Sequence, residues 1–155
     1  MPSLPVYNQG MPKSLRTPPS WLIQNARLAG SQPGWLLVSG RKISSLSQEA
    51  PADCLVEAAG GVVDAAGANL LPGLIDIHTH GGLGREVMDA DPDGLAELST
   101  FYASHGVSAF LATTWAADPL AVSAALNAVK IAQNRGLPGA RLLGAHLEGP
   151  YLNPV

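Results

Sequence analysis

One cysteine, Cys54, stands in 155 residues, so no internal disulfide can staple this chain. A lone thiol fits a reducing compartment, and its ordinary place is as a small buried hydrophobe in a strand. Charge is also scarce, with 14% charged residues and a formal net charge of -3. No cluster of Lys and Arg forms a basic footprint, which excludes a phosphate-backbone binder and leaves no case for nucleic-acid partners. No window approaches the roughly eighteen uninterrupted apolar residues of a membrane span, and the N-terminus lacks the charged-then-apolar order of a secretory signal. The expectation is a chain without membrane partners, located in the cytoplasm. What is present is a globular composition, 46% hydrophobic, sufficient for a sizeable core.

The texture of the chain divides it in three. Residues 1–20 carry five prolines and no sustained periodicity, and are expected to form a flexible tail. Residues 21–71 contain short β-like runs at Trp21 to Leu28, Trp35 to Val38, Ile43 to Leu46, Cys54 to Glu57 and Gly61 to Asp64, broken by Gly, Pro and Ser. They predict a small antiparallel β-domain. From Pro72 to Val155 apolar strands alternate with helical patterns, the sign of βαβ units and a parallel sheet.

The second half repeats one grammar. Asp91-Pro92 opens a helix with a capping carboxylate and a first-turn proline, Leu95, Leu98 and Tyr102 supply its apolar stripe, and Gly106 ends it. Asp118-Pro119 opens the next, Val122, Leu126 and Val129 line it, and Gly136 closes it. Between and after them lie the strands Val107 to Thr114 and Arg141 to Glu148. Right-handed connections of this kind build either a barrel or an open doubly wound sheet.

Chemistry concentrates at the strand ends. In Pro72-Gly73-Leu74-Ile75-Asp76-Ile77-His78-Thr79-His80-Gly81-Gly82 an apolar strand ends in two histidines. Alternation along a strand places them on one face, roughly 6.6 Å apart along the chain, where two imidazoles can converge on one metal ion. The third strand ends in His146-Leu147-Glu148, and a carboxylate beside two imidazoles can bind the same ion or bridge two. In parallel α/β folds active sites gather at the C-terminal ends of strands, where His78, His80 and Glu148 all fall. His146 has three open roles: ligand, substrate donor or packing. Asp76 serves either to orient a ligand or as a structural carboxylate, and Thr113 and Thr114 as substrate contacts or ordinary strand residues. His105 suits a helix end, and Lys130 a solvated helix position.

These motifs carry a resemblance. The segment from Pro72 to His80 resembles the first barrel strand of the amidohydrolase superfamily, and Gly144-Ala145-His146-Leu147-Glu148-Gly149-Pro150 is similar to the signature of the N-acetylglucosamine-6-phosphate deacetylases. Met88-Asp89-Ala90 and the run Gly106 to Thr114 are similar to the same pattern. The resemblance implies the N-terminal part of a (β/α)8 TIM-like barrel preceded by a small β-sandwich domain. A complete barrel takes ~250 residues, so the barrel is expected to be incomplete in this chain. It implies His78, His80 and Glu148 as ligands of one or two divalent metal ions, with zinc the first choice and iron, manganese or cobalt compatible with the donors. It implies removal of acetate from N-acetylglucosamine 6-phosphate, with the general acid and base an aspartate beyond Val155 and no catalytic residue within the chain. The expected partners are a small amino-sugar phosphate and, for the complete enzyme, further copies in a homo-oligomer. Two rival functions remain: another amidohydrolase, acting on a cyclic amide or N-acyl amino acid, and a non-catalytic scaffold remnant.

Overall fold

A computed structural model describes residues 20–28, 32–151 and 153. The proline-rich segment expected to be a tail lies outside the described residues, apart from Ser20. The chain divides into two compact units between Leu71 and Pro72.

The first unit is built on β1 (Ser20–Leu28), β2 (Pro33–Ser39), β3 (Lys42–Ser47), the short helix α1 (Asp53–Ala58), β4 (Gly61–Asp64) and β5 (Asn69–Leu70). These strands form one five-stranded sheet in the order β3-β2-β1-β4, with β5 also on β1. β1 pairs antiparallel with β2 and parallel with both β4 and β5, so the sheet is mixed where a purely antiparallel one was expected. The chain crosses over through α1 between β3 and β4, which returns β4 beside β1 in the same direction, while Asn25 takes a positive φ of 57° at a break in the β1/β2 register. This bulge ends pairing with β4, and the Asn25 side chain donates to Asp64 across the gap (2.9 Å) before β1 resumes against β5.

Cys54 to Glu57, expected as a strand, is helical, and Cys54 is exposed rather than buried. The physical cause is the absence of period-two alternation in Asp-Cys-Leu-Val-Glu-Ala. Leu55 and Val56 are half-buried neighbours in sequence, a side-chain arrangement that suits one helical turn and no two-faced strand.

The second unit runs β6 (Leu74–Thr79), a tight hairpin β7 (Gly81–Gly82) and β8 (Arg85–Glu86), a 3-10 turn at Val87–Asp89, α2 (Pro92–Ser104), β9 (Val107–Thr113), α3 (Pro119–Arg135) and β10 (Arg141–His146). β6, β9 and β10 form a parallel three-stranded sheet with β9 central. Both helices begin as their sequences dictate: the Asp91 carboxylate accepts from the Asp93 N–H at 3.0 Å and Asp118 from Leu120 at 2.8 Å, each followed by proline. Gly106 and Gly136 take φ of 84° and 74°, the left-handed turn-off that only glycine adopts without strain.

Leu95, Leu98 and Tyr102 of α2 pack with Phe110, Val129 and Leu142 in one buried cluster. The face of α3 differs from the expected one. Ala125, Ala128, Val129 and Ala132 are its buried residues, while Val122 and Leu126 are only half-buried and line a surface cleft with Ala117 and Pro119. Small residues let α3 sit close to the sheet, and the bulkier pair is displaced to the margin. The last strand is also shorter than expected, ending at His146, so Glu148 projects from the loop beyond it.

Candidate metal centre

The parallel sheet gathers its polar side chains at one end because β6, β9 and β10 all run the same way. His78 lies in β6, His80 one residue beyond it, and Glu148 two residues beyond β10. Their ligand atoms converge: His78 Nε2 is 3.0 Å and His80 Nε2 3.2 Å from Glu148 Oε2, and the two Nε2 atoms are 3.3 Å apart. Their side chains are 47%, 37% and 35% exposed, a site open to solvent rather than sealed in the core. Among the described residues this is the cluster of His, Cys, Asp and Glu whose donors could hold an ion.

The donor set fits a divalent cation. His80 Nδ1 lies 3.2 Å from the Thr113 carbonyl, which can only accept, so Nδ1 carries the proton and Nε2 presents a lone pair. That lone pair faces the carboxylate oxygen of Glu148, and two acceptors at this distance repel unless a positive charge lies between them. Donors bound to a tetrahedral zinc at ~2.0–2.1 Å stand about 3.3 Å from one another. The observed 3.0–3.3 Å spacings match that requirement.

β6 does not reach this geometry by ordinary strand pairing. Its register against β9 breaks between Asp76 and Thr79, and side chains take over the backbone groups left there. The His78 N–H donates to the Asp76 carboxylate (3.0 Å), the Thr79 N–H to Thr113 Oγ1 (3.0 Å), and the Ile77 carbonyl accepts from His146 Nδ1 (2.9 Å). Asp76 and Thr113 thus hold backbone, and Thr114 is buried with its own N–H given to the His146 carbonyl. On the opposite side of β6, Thr79 Oγ1 meets the Tyr102 hydroxyl at 2.9 Å, which donates to the Gly81 carbonyl at 3.0 Å. Burial pushes the Tyr102 pKa up, opposed by the Thr79 bond and reinforced by the charge of Asp76, which keeps the phenol a donor.

Beyond His80 the chain must turn at once. Leu83 and Gly84 take φ of 54° and 73° in the two-residue turn between β7 and β8, and Arg85 then anchors the hairpin through paired bonds to Glu97 at 3.0 and 3.1 Å. On the far side, a side chain at Gly149 would meet the Ala116 Cβ at 2.8 Å, so glycine permits the loop bearing Glu148 to lie against the end of β9.

Three residues near the site have roles that the sequence left open or passed over. His146 stands edge-on to His78, ring centroids 4.6 Å apart, and its Nδ1 is committed to Ile77. Trp115, 5.9 Å from the His80 ring, and Tyr102 were not among the candidates. Trp115 directly follows Thr114 at the same end of the sheet, a positional signal that was available. His105 and Lys130 are apart from the cluster: His105 Nδ1 lies 2.9 Å from the Phe101 carbonyl at the end of α2, and Lys130 is exposed on α3.

The second unit is a parallel sheet with helices between its strands and a His-His-Glu cluster at the strand ends that could hold a metal ion, and solved structures match this chain. The N-acetylglucosamine-6-phosphate deacetylase of Pasteurella multocida superposes with a TM-score of 0.73 at 24% identity, over 87% of this chain and 35% of that one. The enzyme of the same name from Mycobacterium smegmatis gives 0.68 at 27% identity, over 87% and 36%. In sequence, the chain is homologous to part of the N-acetylglucosamine-6-phosphate deacetylases. It is 40% identical to that of Bacillus subtilis over 124 residues, 78% of this chain and 31% of the relative, and 49% identical to that of Vibrio furnissii over 83 residues, 54% and 21%. An N-acetylgalactosamine-6-phosphate deacetylase of Escherichia coli O157:H7 is 46% identical over 85 residues, 55% of this chain and 22% of the relative. The chain therefore spans between about a fifth and a third of the curated relatives it matches. No family model matches it.

Proposed function

We propose that this chain is the metal-binding portion of a deacetylase that removes acetate from N-acetylglucosamine 6-phosphate. The observation that carries the reading is the convergence of His78 Nε2, His80 Nε2 and Glu148 Oε2 within 3.3 Å at the ends of parallel strands. Relatives named for this reaction support the substrate. His78, His80 and Glu148 would hold one or two divalent ions, with zinc the first choice. When bound, such an ion supplies Lewis acidity to an amide carbonyl and makes water a nucleophile near neutral pH.

The chain's own residues do the remaining work attributable to it. The Thr113 carbonyl keeps His80 in the tautomer that can ligate, and the Asp76 carboxylate holds the backbone of His78. Trp115, its ring centroid 5.9 Å from that of His80, would offer a flat apolar face to a sugar ring. The proton exchanged with the departing sugar amine is assigned to an aspartate outside residues 1–155.

The same reading makes the second unit the first three β/α units of a (β/α)8 barrel and the first unit part of a β-sandwich. Leu74, Ile75 and Ile77 of β6 are 60–65% exposed, which suits an edge that further barrel strands cover. Cytoplasmic location and homo-oligomeric assembly of the complete enzyme belong to this reading as well.

The test is acetate release by the polypeptide that carries this sequence in its native source, supplied with zinc. N-acetylglucosamine 6-phosphate should be hydrolysed, with removal of metal by a chelator abolishing turnover. Preference for the galactosamine epimer would move the substrate to that of the E. coli relative. Turnover only of cyclic amides or N-acyl amino acids, or no divalent metal bound at all, would overturn the proposal.

A further inference from the structure

His146 has two ring nitrogens, and the structure separates them. Nδ1 lies 2.9 Å from the Ile77 carbonyl, an acceptor, so it carries the proton. Nε2 is then a lone pair, yet it is absent from the group of converging ligand atoms. β10, which carries His146, does not pair with β6: the order is β10-β9-β6, with β9 ending at Thr113 between them. The Nδ1 bond therefore spans the end of the middle strand and ties β10 directly to β6. It lands on the carbonyl immediately before His78, in the stretch where the β6/β9 ladder is broken. The anchor is itself fixed, because the His146 carbonyl accepts from the Thr114 N–H at 3.0 Å.

We propose that His146 is a positioning residue acting through Nδ1: a strap that holds β6 and β10 at the separation needed for His78 and Glu148 to meet on one ion, while its ring buttresses His78. His78 belongs to β6 and Glu148 to the loop two residues after His146, so the strap joins the two segments whose ligands must converge. Without it, the Ile77 carbonyl loses its partner and His78 loses the ring packed 4.6 Å from its own. Residues holding a ligand's backbone or orientation typically change metal affinity 10- to 100-fold when removed. The inference rests on the metal-site reading above.

Amide side chains tell the two nitrogens apart. Asn places an N–H near the position of Nδ1, whereas Gln places its amide near Nε2. Zinc affinity is measured by competition with a chromophoric chelator, and the visible absorption of the cobalt-loaded protein reports ligand geometry independently of turnover. H146N, which keeps a donor at the place of Nδ1 and loses only the ring, should retain most of the zinc affinity, while H146Q and H146L lose roughly 10- to 100-fold and shift the cobalt spectrum. Equal affinity in all three variants, or retention by H146Q with loss in H146N, would overturn the proposal. A structural role alone would lower thermal stability and leave affinity and spectrum unchanged, which also overturns it. Should the variants fail to fold, the unaltered protein loaded with cadmium-113 decides. Coupling to imidazole nitrogen should appear for His78 and His80 and not for His146, and coupling at His146 Nε2 would make it a ligand. Failure of the unaltered protein to bind any divalent ion would instead remove the metal-site reading.

Discussion

The Nδ1–H of His80 is aimed at the main-chain carbonyl of Thr113, 3.2 Å away on the neighbouring strand. That single bond turns a surface histidine into a committed lone-pair donor, because it leaves the second nitrogen no proton of its own to present. With Glu148 facing it at 3.2 Å, His80 forms half of a pair of acceptors placed to share one cation.

Removing either member should therefore weaken metal binding far more than it weakens the fold. Both side chains are about a third exposed, so neither His80→Ala nor Glu148→Gln opens a core cavity. Each variant is expected to raise the zinc dissociation constant by at least about tenfold, on the order of 1.4 kcal/mol, with little change in the unfolding midpoint. Calorimetric titration beside a denaturation curve checks both halves. Unchanged affinity in both variants would disprove the assigned ligands.

Tyr102 offers a prediction of opposite character. Its hydroxyl is buried against Thr79 and the Gly81 carbonyl, so Tyr102→Phe removes a bond without changing the packing against Phe110, whose ring centroid is 5.0 Å away. The cost should be about 1 kcal/mol, the typical worth of a buried neutral hydrogen bond. Thr79→Val should cost a similar amount, and the double variant less than the sum, because the two hydroxyls belong to one chain of bonds. Urea unfolding of the four species measures the cycle, and strict additivity would show that the hydroxyls act separately.

The part of this molecule that could be read from its sequence is the part governed by local rules. Asp-Pro followed by glycine fourteen residues after Pro92 and seventeen after Pro119 specified both helices, since capping, first-turn proline and left-handed glycine act within a few residues of their cause. His78 and His80 could be paired because strand alternation is local too. What escaped notice depends on distant partners. The switch of β1 from β4 to β5 falls at a bulge at Asn25, whose side chain is bonded to Asp64, 39 residues away. The alanine face of α3 follows from how closely that helix approaches the sheet, which hydrophobic periodicity, favouring Val122 and Leu126, does not encode. The convergence of His78 with Glu148 spans 70 residues, and the rule that parallel strands gather their sites at their C-terminal ends, not spacing along the chain, brought the two together. At Cys54 the local rule failed outright: a run of β-formers without alternation folded as one turn of helix.

Ser99 and Gly139 bring α2 against the segment entering β10. The Ser99 hydroxyl donates to the Ala140 carbonyl at 3.0 Å and accepts from the Gly139 N–H at 2.9 Å, while its own carbonyl accepts from the Ala140 N–H at 2.9 Å. A side chain on Gly139 would run into the Ser99 backbone, which cannot move away as a flexible side chain would. Gly139→Ala should cost at least about 1–3 kcal/mol through overpacking, and Ser99→Ala about 1–3 kcal/mol through loss of the partner of the buried Ala140 carbonyl and of the part-buried Gly139 N–H. Chemical denaturation measures both. A Gly139→Ala variant as stable as the original protein would mean that the entry to β10 can shift freely.

Asp64 supplies a pH dependence confined to the first unit. Its carboxylate accepts from the Ala66 N–H at 2.8 Å and from the Asn25 amide at 2.9 Å, and these bonds, the Ala66 bond foremost, hold its pKa below the ordinary 3.8. A carboxyl whose pKa is depressed by folding stabilises the folded form above its unfolded pKa, and loses that contribution as pH falls through the folded value. The group is fully exposed, so the effect is local rather than global. Asp64→Asn retains an oxygen acceptor for both donors but has no charge to lose. Hydrogen exchange at the Ala66 amide should be better protected in the original protein than in the variant near about pH 5, and the difference should shrink as pH is lowered below 3.8 and the carboxyl takes up its proton. A difference that persisted undiminished through that interval would show that the loss came from altered shape at the Asn25 bulge and not from the carboxylate charge.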